Sequence, residues 1–484
     1  MTHPAHLHDA ARRRHEAALA AADRWRRTHR PPSPADRLTR TYATANALVW
    51  FATVTPIATA ILFAQSRGFT LADVGLFGAT YAATVALLEL PSGAWADAWG
   101  RVRTVVLGIL LTVVALLALL AAFDLPMLLA YAVASGAGRA ATSGALEAWF
   151  VDALEATAPG TPLQPRLATA NAVELVALAA GTLAGSLLPG VTAPLTTSAG
   201  AWLTPLATPL LASIALHLVA AAFLALRVAP LDASPARTAG GRPGVRSTVV
   251  GVARDAARDP ALRTLLVVQM ALGAAMAGLE TFWQPYLAAH LPSPETRTWP
   301  FGTVLAGGFA AAVVGTFLAT RAARRFGGAY ARVAAGSLAV QATALAALAQ
   351  ADAAWAVAAA IVGFYLAMGG TTPLLATLVH GRSVAARRSA TLSAASLATF
   401  AGALVGTSVG GRVADLVGLP VVWMGAAAAV AVAALLVARL AGRGRWDVPD
   451  AARAPEEPGR ARSVAGSASG QGASALEAAA DAAA

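Results

Sequence analysis

Long apolar runs separated by short polar connections dominate the chain. They fall at about 42–65, 71–96, 104–123, 125–152, 166–189 and 204–227, and again at about 262–290, 298–320, 329–350, 353–380, 388–411 and 419–441. Each is close to the roughly 20 apolar residues that a helix needs to cross a bilayer core. The pattern predicts an all-α membrane protein with twelve transmembrane helices. Residues 228–261, between the sixth and seventh runs, are polar and carry Arg237, Arg242, Arg246, Arg254 and Arg258. Two sets of six around a basic linker is the layout of a duplicated bundle, with halves at 42–227 and 262–441. The halves share little residue identity, so the repeat is read from layout. A polar, basic tail is expected over 1–41, and the Ala-, Gly- and Ser-rich stretch 442–484 reads as disordered.

Composition supports lipid as the solvent. The chain is 57% hydrophobic and 13% charged, with mean hydropathy +0.61, whereas a soluble domain is about 45–50% apolar and about 25% charged. With no cysteine among 484 residues, disulfide frameworks, thiolate metal sites and cysteine nucleophiles are excluded. A net charge of +11 raises the question of nucleic acid, but the arginines sit in short clusters between apolar runs, so no nucleic-acid partner is expected.

Arginine placement sets the expected orientation. With both chain ends in the cytoplasm, 32 arginines lie inside, Arg67, Arg297 and Arg412 lie outside, and Arg139 falls within a span. The first 40 residues are polar and arginine-rich, without a signal-peptide pattern, so the first span is expected to act as the uncleaved insertion signal. A short basic helix is expected around Ala10–Arg27, either on anionic headgroups or solvated. His3, His6 and His8 lack a carboxylate cluster to complete a metal site.

An ionisable group near the bilayer centre costs about 2.5–3.5 kcal/mol on insertion scales, which makes it a functional candidate. Glu89, Arg139, Glu147, Glu174, His217 and Glu280 qualify. Arg139, Ser143 and Glu147 recur every four residues and would share one helix face. Gln269, Gly273, Met276, Glu280 and Gln284 form a second stripe, Asn171, Glu174, Gly181 and Gly185 a third, and Asn46, Trp50 and Thr53 a fourth. Such stripes suit helices around a water-filled cavity. A packing reading stands beside this one: Arg139 pairs with Glu147 or Glu89 to lock the bundle, Glu174 does likewise, and His217 is a hydrogen-bonded core residue.

Gly181 and Gly185, then Gly402, Gly406 and Gly410, have the four-residue spacing that lets helix backbones approach closely. Gly406-Thr407-Ser408-Val409-Gly410 matches the G-x-S-x-G pattern, but a nucleophile elbow needs a strand-to-helix turn, and this match lies inside an apolar helix. No H-E-x-x-H pair or phosphate-binding loop is present in the sequence. An enzyme is not expected, nor is any cofactor.

After the second apolar run the chain reads Gly93-Ala94-Trp95-Ala96-Asp97-Ala98-Trp99-Gly100-Arg101-Val102-Arg103. This resembles the signature loop of the major facilitator superfamily, G-x-x-x-D-R/K-x-G-R-x-R/K, with Ala98 where a basic residue is usual. Glu89-Leu90-Pro91-Ser92, the fourth-helix set Arg139, Ser143-Gly144, Glu147-Ala148-Trp149 and Asp152, and Trp283-Gln284-Pro285 are similar to a bacterial subgroup. The resemblance covers 42–441. It implies a latch in which Gly93 and Gly100 permit the turn, Asp97 caps the N-terminus of a neighbouring helix (the eleventh), and Arg101 pairs with Asp152, stabilising the outward-facing state. The equivalent loop after the eighth helix keeps Arg321, Arg324, Arg325 and Gly327 but lacks the acid. Gly411-Arg412-Val413-Ala414-Asp415 looks similar but falls on the other side and is not counted as a latch. Arg139 sits where proton-coupled members carry an arginine that tunes a carboxylate. The match is loose, with Thr142 in place of glutamine, and the fifth-helix antiporter signature is only echoed by Gly181, Gly185 and Pro189-Gly190.

The resemblance implies a monomeric secondary transporter of the cytoplasmic membrane that moves a small organic solute by alternating access, with proton-coupled export of an amphipathic or cationic compound as the leading expectation. Protons and the small-molecule substrate are its partners, within the lipid bilayer. The expected solute and proton residues are Glu89, Arg139, Glu147, Glu174, Glu280, Gln284, Gln269 and Trp50. Uptake or facilitated transport of a small metabolite or anion held by Arg139 is the competing expectation. A non-transporting sensor or scaffold is the third, and neither tail carries a recognisable domain to support it.

Overall fold

A computed structural model of the chain describes residues 33–196, 203–232, 254, 258–382 and 388–442. The basic helix around Ala10–Arg27, the histidines of the N-terminal tail and the tail 443–484 lie outside the described residues, as does most of the linker. The described residues form fourteen α-helices: α1 Pro34–Val54, α2 Ala60–Ser66, α3 Leu71–Trp99, α4 Arg101–Leu120, α5 Leu125–Thr142, α6 Ala145–Thr157, α7 Gln164–Thr196, α8 Thr208–Phe223, α9 Pro260–Ala288, α10 Trp299–Arg325, α11 Tyr330–Ala349, α12 Ala354–Arg382, α13 Arg388–Val417 and α14 Leu419–Gly442. No strand occurs among these residues.

By length and composition, ten helical segments are able to cross a membrane. The two apolar runs that drop out are those that the structure breaks. The expected helix at 42–65 starts earlier, at Pro34, because Ser33 and Asp36 form a capping box with both bonds at 3.1 Å and Pro34 sits where a missing N–H is harmless. It then stops at Thr55, since Pro56 has no N–H to continue the ladder. The run expected as one helix at 125–152 is split between α5 and α6. Ser143 leaves helical geometry with ψ 115°, and Gly144 takes the left-handed conformation at φ 67°, a region open to glycine at little strain.

Helix pairings in the first half of the chain recur in the second. The contacts α1–α7, α1–α8, α3–α5, α4–α5 and α4–α8 have counterparts in α9–α13, α9–α14, α10–α12, α11–α12 and α11–α14. Contacts between the halves are carried mainly by α3 against α13 and by α7 against α10.

The bundle has two unlike ends. At the end carrying residues 66–70, 289–298 and 418, here the far end, both halves share one hydrophobic core, with Phe63, Leu116 and Leu210 in the same cluster as Trp283, Phe301 and Trp423. At the near end, which carries Ser33, Gly100 and Asp232, the first half keeps a separate core of Tyr42, Val105, Trp149 and Phe150. Tyr42 and Phe150 stack there at 4.4 Å. A shared core ties the halves together at the far end. Glycine lets their backbones touch there: a Cβ on Gly75 would lie 3.0 Å from Gly411 Cα, and one on Gly302 would strike Ser186.

Candidate functional site

The ionisable residues of the spans fall into a first-half group around Glu174 and contacts of Glu89 and Glu280 with second-half residues. Asn46 Nδ2 on α1 donates to Glu174 Oε2 on α7 at 2.6 Å. One turn along α1 is Trp50, whose ring centroid lies 6.0 Å from Arg139 Cζ at the end of α5, within reach of a cation–π attraction. Glu174 lies in the electrostatic fields of both Glu147 and Arg139, so the third and fourth sequence stripes converge with the fourth-helix charges. Across the interface, Glu280 on α9 is exposed and accepts from Tyr365 Oη at 3.4 Å, a long and weak bond. Tyr365 is itself buried, its ring edge-on to Phe309 and Phe364 at 6.0 and 6.2 Å. Tyr81 on α3 lies in the fields of both Arg139 and Glu280.

Several expected placements are corrected. Arg139, Ser143 and Glu147 do not form one continuous helix face, because the break at Ser143–Gly144 reorients everything after it. Nor does the α9 stripe form one exposed line. Gly273 faces the Thr399 backbone of α13, and a Cβ there would collide with it. Gln284 is 3% exposed and donates to Ile57 O at 2.8 Å, joining the halves at the far end instead of facing a solute. Gln269 is half-buried on the α9 surface. Glu89 accepts from Ser396 Oγ at 3.2 Å, a bond between α3 and α13. Neighbouring Ser92 donates to Ala140 O at 2.8 Å, which ties α3 to α5 one residue from Arg139. His217 is a packing residue: 2% exposed, with Nδ1 2.8 Å from Ser213 O and Nε2 3.4 Å from Thr53 Oγ1.

The loop after α3 is compact. Gly100 alone makes the turn, at φ 102°; Gly93, expected to share it, lies half-buried inside α3, where the helix runs on to Trp99. Arg101 Nη1 approaches Asp152 Oδ2 of α6 at 2.9 Å as an ion pair, and its Nη2 lies 3.9 Å from Asp97. Asp232, at the edge of the linker, sits 3.4 Å from Val102 N at the uncapped start of α4. The expected capping of the eleventh span by Asp97 falls on residues around 383–390, outside those whose side chains are described.

Sequence reasoning missed Tyr365, Tyr81, Ser396 and Asp232. The two tyrosines carried a usable signal, as polar groups in apolar runs. Ser396 and Asp232 carried none, being ordinary residues that acquire meaning only from distant partners.

Three comparisons bear on this arrangement. The family model described as Major Facilitator Superfamily matches residues 42–383. Among solved structures, a mutant of the nucleoside transporter NupG superposes with a TM-score of 0.68 at 12% identity, over 83% of this chain and 98% of that one. A bacterial homologue of the human lysosomal transporter Spinster, in an inward-facing, unoccupied conformation, gives 0.55 at 16% identity, over 85% and 96%. At such identities the likeness is one of fold. Comparison with curated protein sequences gave no match. The family match spans more than half of the chain, and with its apolar helices and paired halves this multi-pass membrane protein, a transporter and not an enzyme, belongs to the Major Facilitator Superfamily.

Proposed function

We propose that the chain exports a small amphipathic or cationic organic solute from the cytoplasm in exchange for protons. In this reading it crosses the cytoplasmic membrane twelve times as a monomer, with α1–α2 and α5–α6 each forming one broken pass and both chain ends inside. The recurring helix pairings and the arginine distribution support that topology. The solute binds near the midplane between the halves, and access alternates by rocking of one half on the other.

Glu280 carries the reading: it is an exposed carboxylate on a helix apolar enough to span a membrane, beside a buried tyrosine. An acid in that position is expensive unless it meets water, a proton or a cation. Glu174, Glu147 and Glu89 add negative charge, and Trp50 and Tyr81 add aromatic surface, which together suit a cation with an apolar body. A second reading, uptake of a small metabolite, rests on Arg139, whose guanidinium near Trp50 offers a seat for an anion.

Proteoliposomes with an imposed proton gradient and an internal pH dye decide between them. Under the export reading, tetraphenylphosphonium and related aromatic cations collapse the gradient, and Glu280→Gln abolishes the effect while leaving the melting temperature near that of the parent. Undiminished proton exchange in Glu280→Gln refutes the role of Glu280. Gradient-independent flux, or flux of anions only, favours the second reading.

A further inference from the structure

The far end of the bundle holds a carboxylate that spans the two halves. Asp415, near the C-terminus of α13, accepts from Leu71 N at 3.1 Å and from Ala72 N at 2.8 Å. These are the first two N–H groups of α3, which have no partner within their own helix and stand at the positive end of its dipole. The local cap of α3 does not use them: Thr70 Oγ1 takes Asp73 N at 3.2 Å, and Asp73 Oδ2 takes Thr70 N at 2.9 Å. Asp415 therefore satisfies from the second half what the first half leaves open, through two charge-assisted bonds.

Below this contact α3 and α13 run backbone to backbone. A Cβ on Gly75 would meet Thr407 O and Gly411, and one on Gly78 would lie 3.0 Å from Thr407 Cγ2. The Asp415 bonds sit at the rim of this seam, at the far end.

We infer that Asp415 is a far-end latch: it stabilises the arrangement closed at that end and releases the α3 N-terminus when the cavity opens there. Unlike the Arg101–Asp152 pair at the near end, which joins two helices of the first half, this contact bridges the halves themselves. The inference uses the rocking of the halves but neither the direction of transport nor a proton.

Introduced thiols are the sole ones in a chain without cysteine, so distances between them can be read directly. Ser66→Cys and Thr296→Cys, both exposed and one in each half at the far end, carry spin labels for pulsed electron paramagnetic resonance in reconstituted protein. Asp415→Asn and Asp415→Ala are expected to raise the ratio of long to short far-end distances by about two- to fivefold, the range expected for an exposed carboxylate at a helix N-terminus. Labels at Glu155→Cys and Arg325→Cys, at the near end, are expected to move closer in the same variants. Asp415→Asn keeps the side-chain shape and decides the matter if the alanine variant does not fold. An unchanged far-end distribution in a folded Asp415→Asn protein overturns the latch, whatever solute the protein carries.

Discussion

Asn46 and Glu174 face one another across α1 and α7, the amide nitrogen donating to the carboxylate at 2.6 Å. Asn46 is 9% exposed, and Glu174 is half-buried beside Arg139 and Glu147. The pair is open to two uses, as a tie between helices or as part of the solute path, and two variants separate them. Asn46→Ala leaves the carboxylate short of a donor, which costs about 1–3 kcal/mol for a buried group, and should lower the melting temperature. Glu174→Gln keeps the size and a hydrogen bond while removing the charge. It should melt near the parent yet transport at least about tenfold more slowly, the effect of roughly 1.4 kcal/mol on the transport barrier. Parent-like flux in Glu174→Gln assigns the residue to packing.

Arg101 makes its contacts through one end of a guanidinium held by Asp152 at 2.9 Å and Asp97 at 3.9 Å. Removing it is expected to alter the relative stability of conformations more than the fold, because its partners are half-buried at the near end and keep some access to water. Arg101→Ala should therefore express and insert normally but lose most transport, as a shift between two states predicts. Arg101→Lys, with a compact charge in place of a planar fork, should fall between the two. Flux counted per inserted molecule is the measurement, and normal flux in Arg101→Ala removes the near-end latch.

Much of this fold was legible in hydropathy because lipid imposes long apolar helices, and most boundaries, such as 419–441 against Leu419–Gly442, lie within a few residues. The breaks were not legible. Hydropathy passes straight through Pro56 and Gly144, since it carries no information on a missing N–H or a left-handed φ, so the α5–α6 stripe was drawn across a bend. Charged residues announced themselves, and Arg101 with Asp152 followed from a motif. Contacts of carboxylates with backbone N–H groups or serines did not. Glu89 and Ser396 are 307 residues apart, and any helix start offers the donors that Asp415 takes. Gln284 misled for a related reason: a polar residue on an apolar helix marks either a cavity or a seam, and periodicity cannot separate the two.

At the near end, Asp36 links the start of α1 to α7. Its carboxyl is held down at about 2 by the Ser33 hydroxyl first, then by Arg166 and the Ser33 backbone, with Arg166 Nη1 at 2.9 Å. A folded-state value below the ordinary 3.8 means that ionised Asp36 favours the folded state. Its contribution is full above about pH 4 and fades as pH falls toward 2. The melting-temperature gap between the parent and Asp36→Asn should thus stay constant from neutral pH to about 5, narrow below about 4 and be mostly lost by about pH 2. A gap that is undiminished at pH 3, or widens there, contradicts the assignment.

Gly402 on α13 tests how tightly α9 and α13 are joined. A Cβ there would run into Met270 O and lie 3.0 Å from Ala274 N, while Gly406 and Gly273 repeat the collision with Ala274 and with Thr399. Replacing a helical glycine with alanine ordinarily stabilises by about 0.5–1 kcal/mol through chain entropy. Overpacking a rigid seam costs about 1–3 kcal/mol. The obstructing atoms at Gly402 are backbone and cannot rotate away, so the steric effect should win and Gly402→Ala should melt lower. Gly425 on α14 has nothing within 4 Å of the added carbon, so there the entropy gain stands alone and Gly425→Ala should melt at or above the parent. Opposite signs in one thermal-shift experiment support backbone contact between α9 and α13; a rise in both variants would mean that the two helices sit too far apart for their backbones to touch.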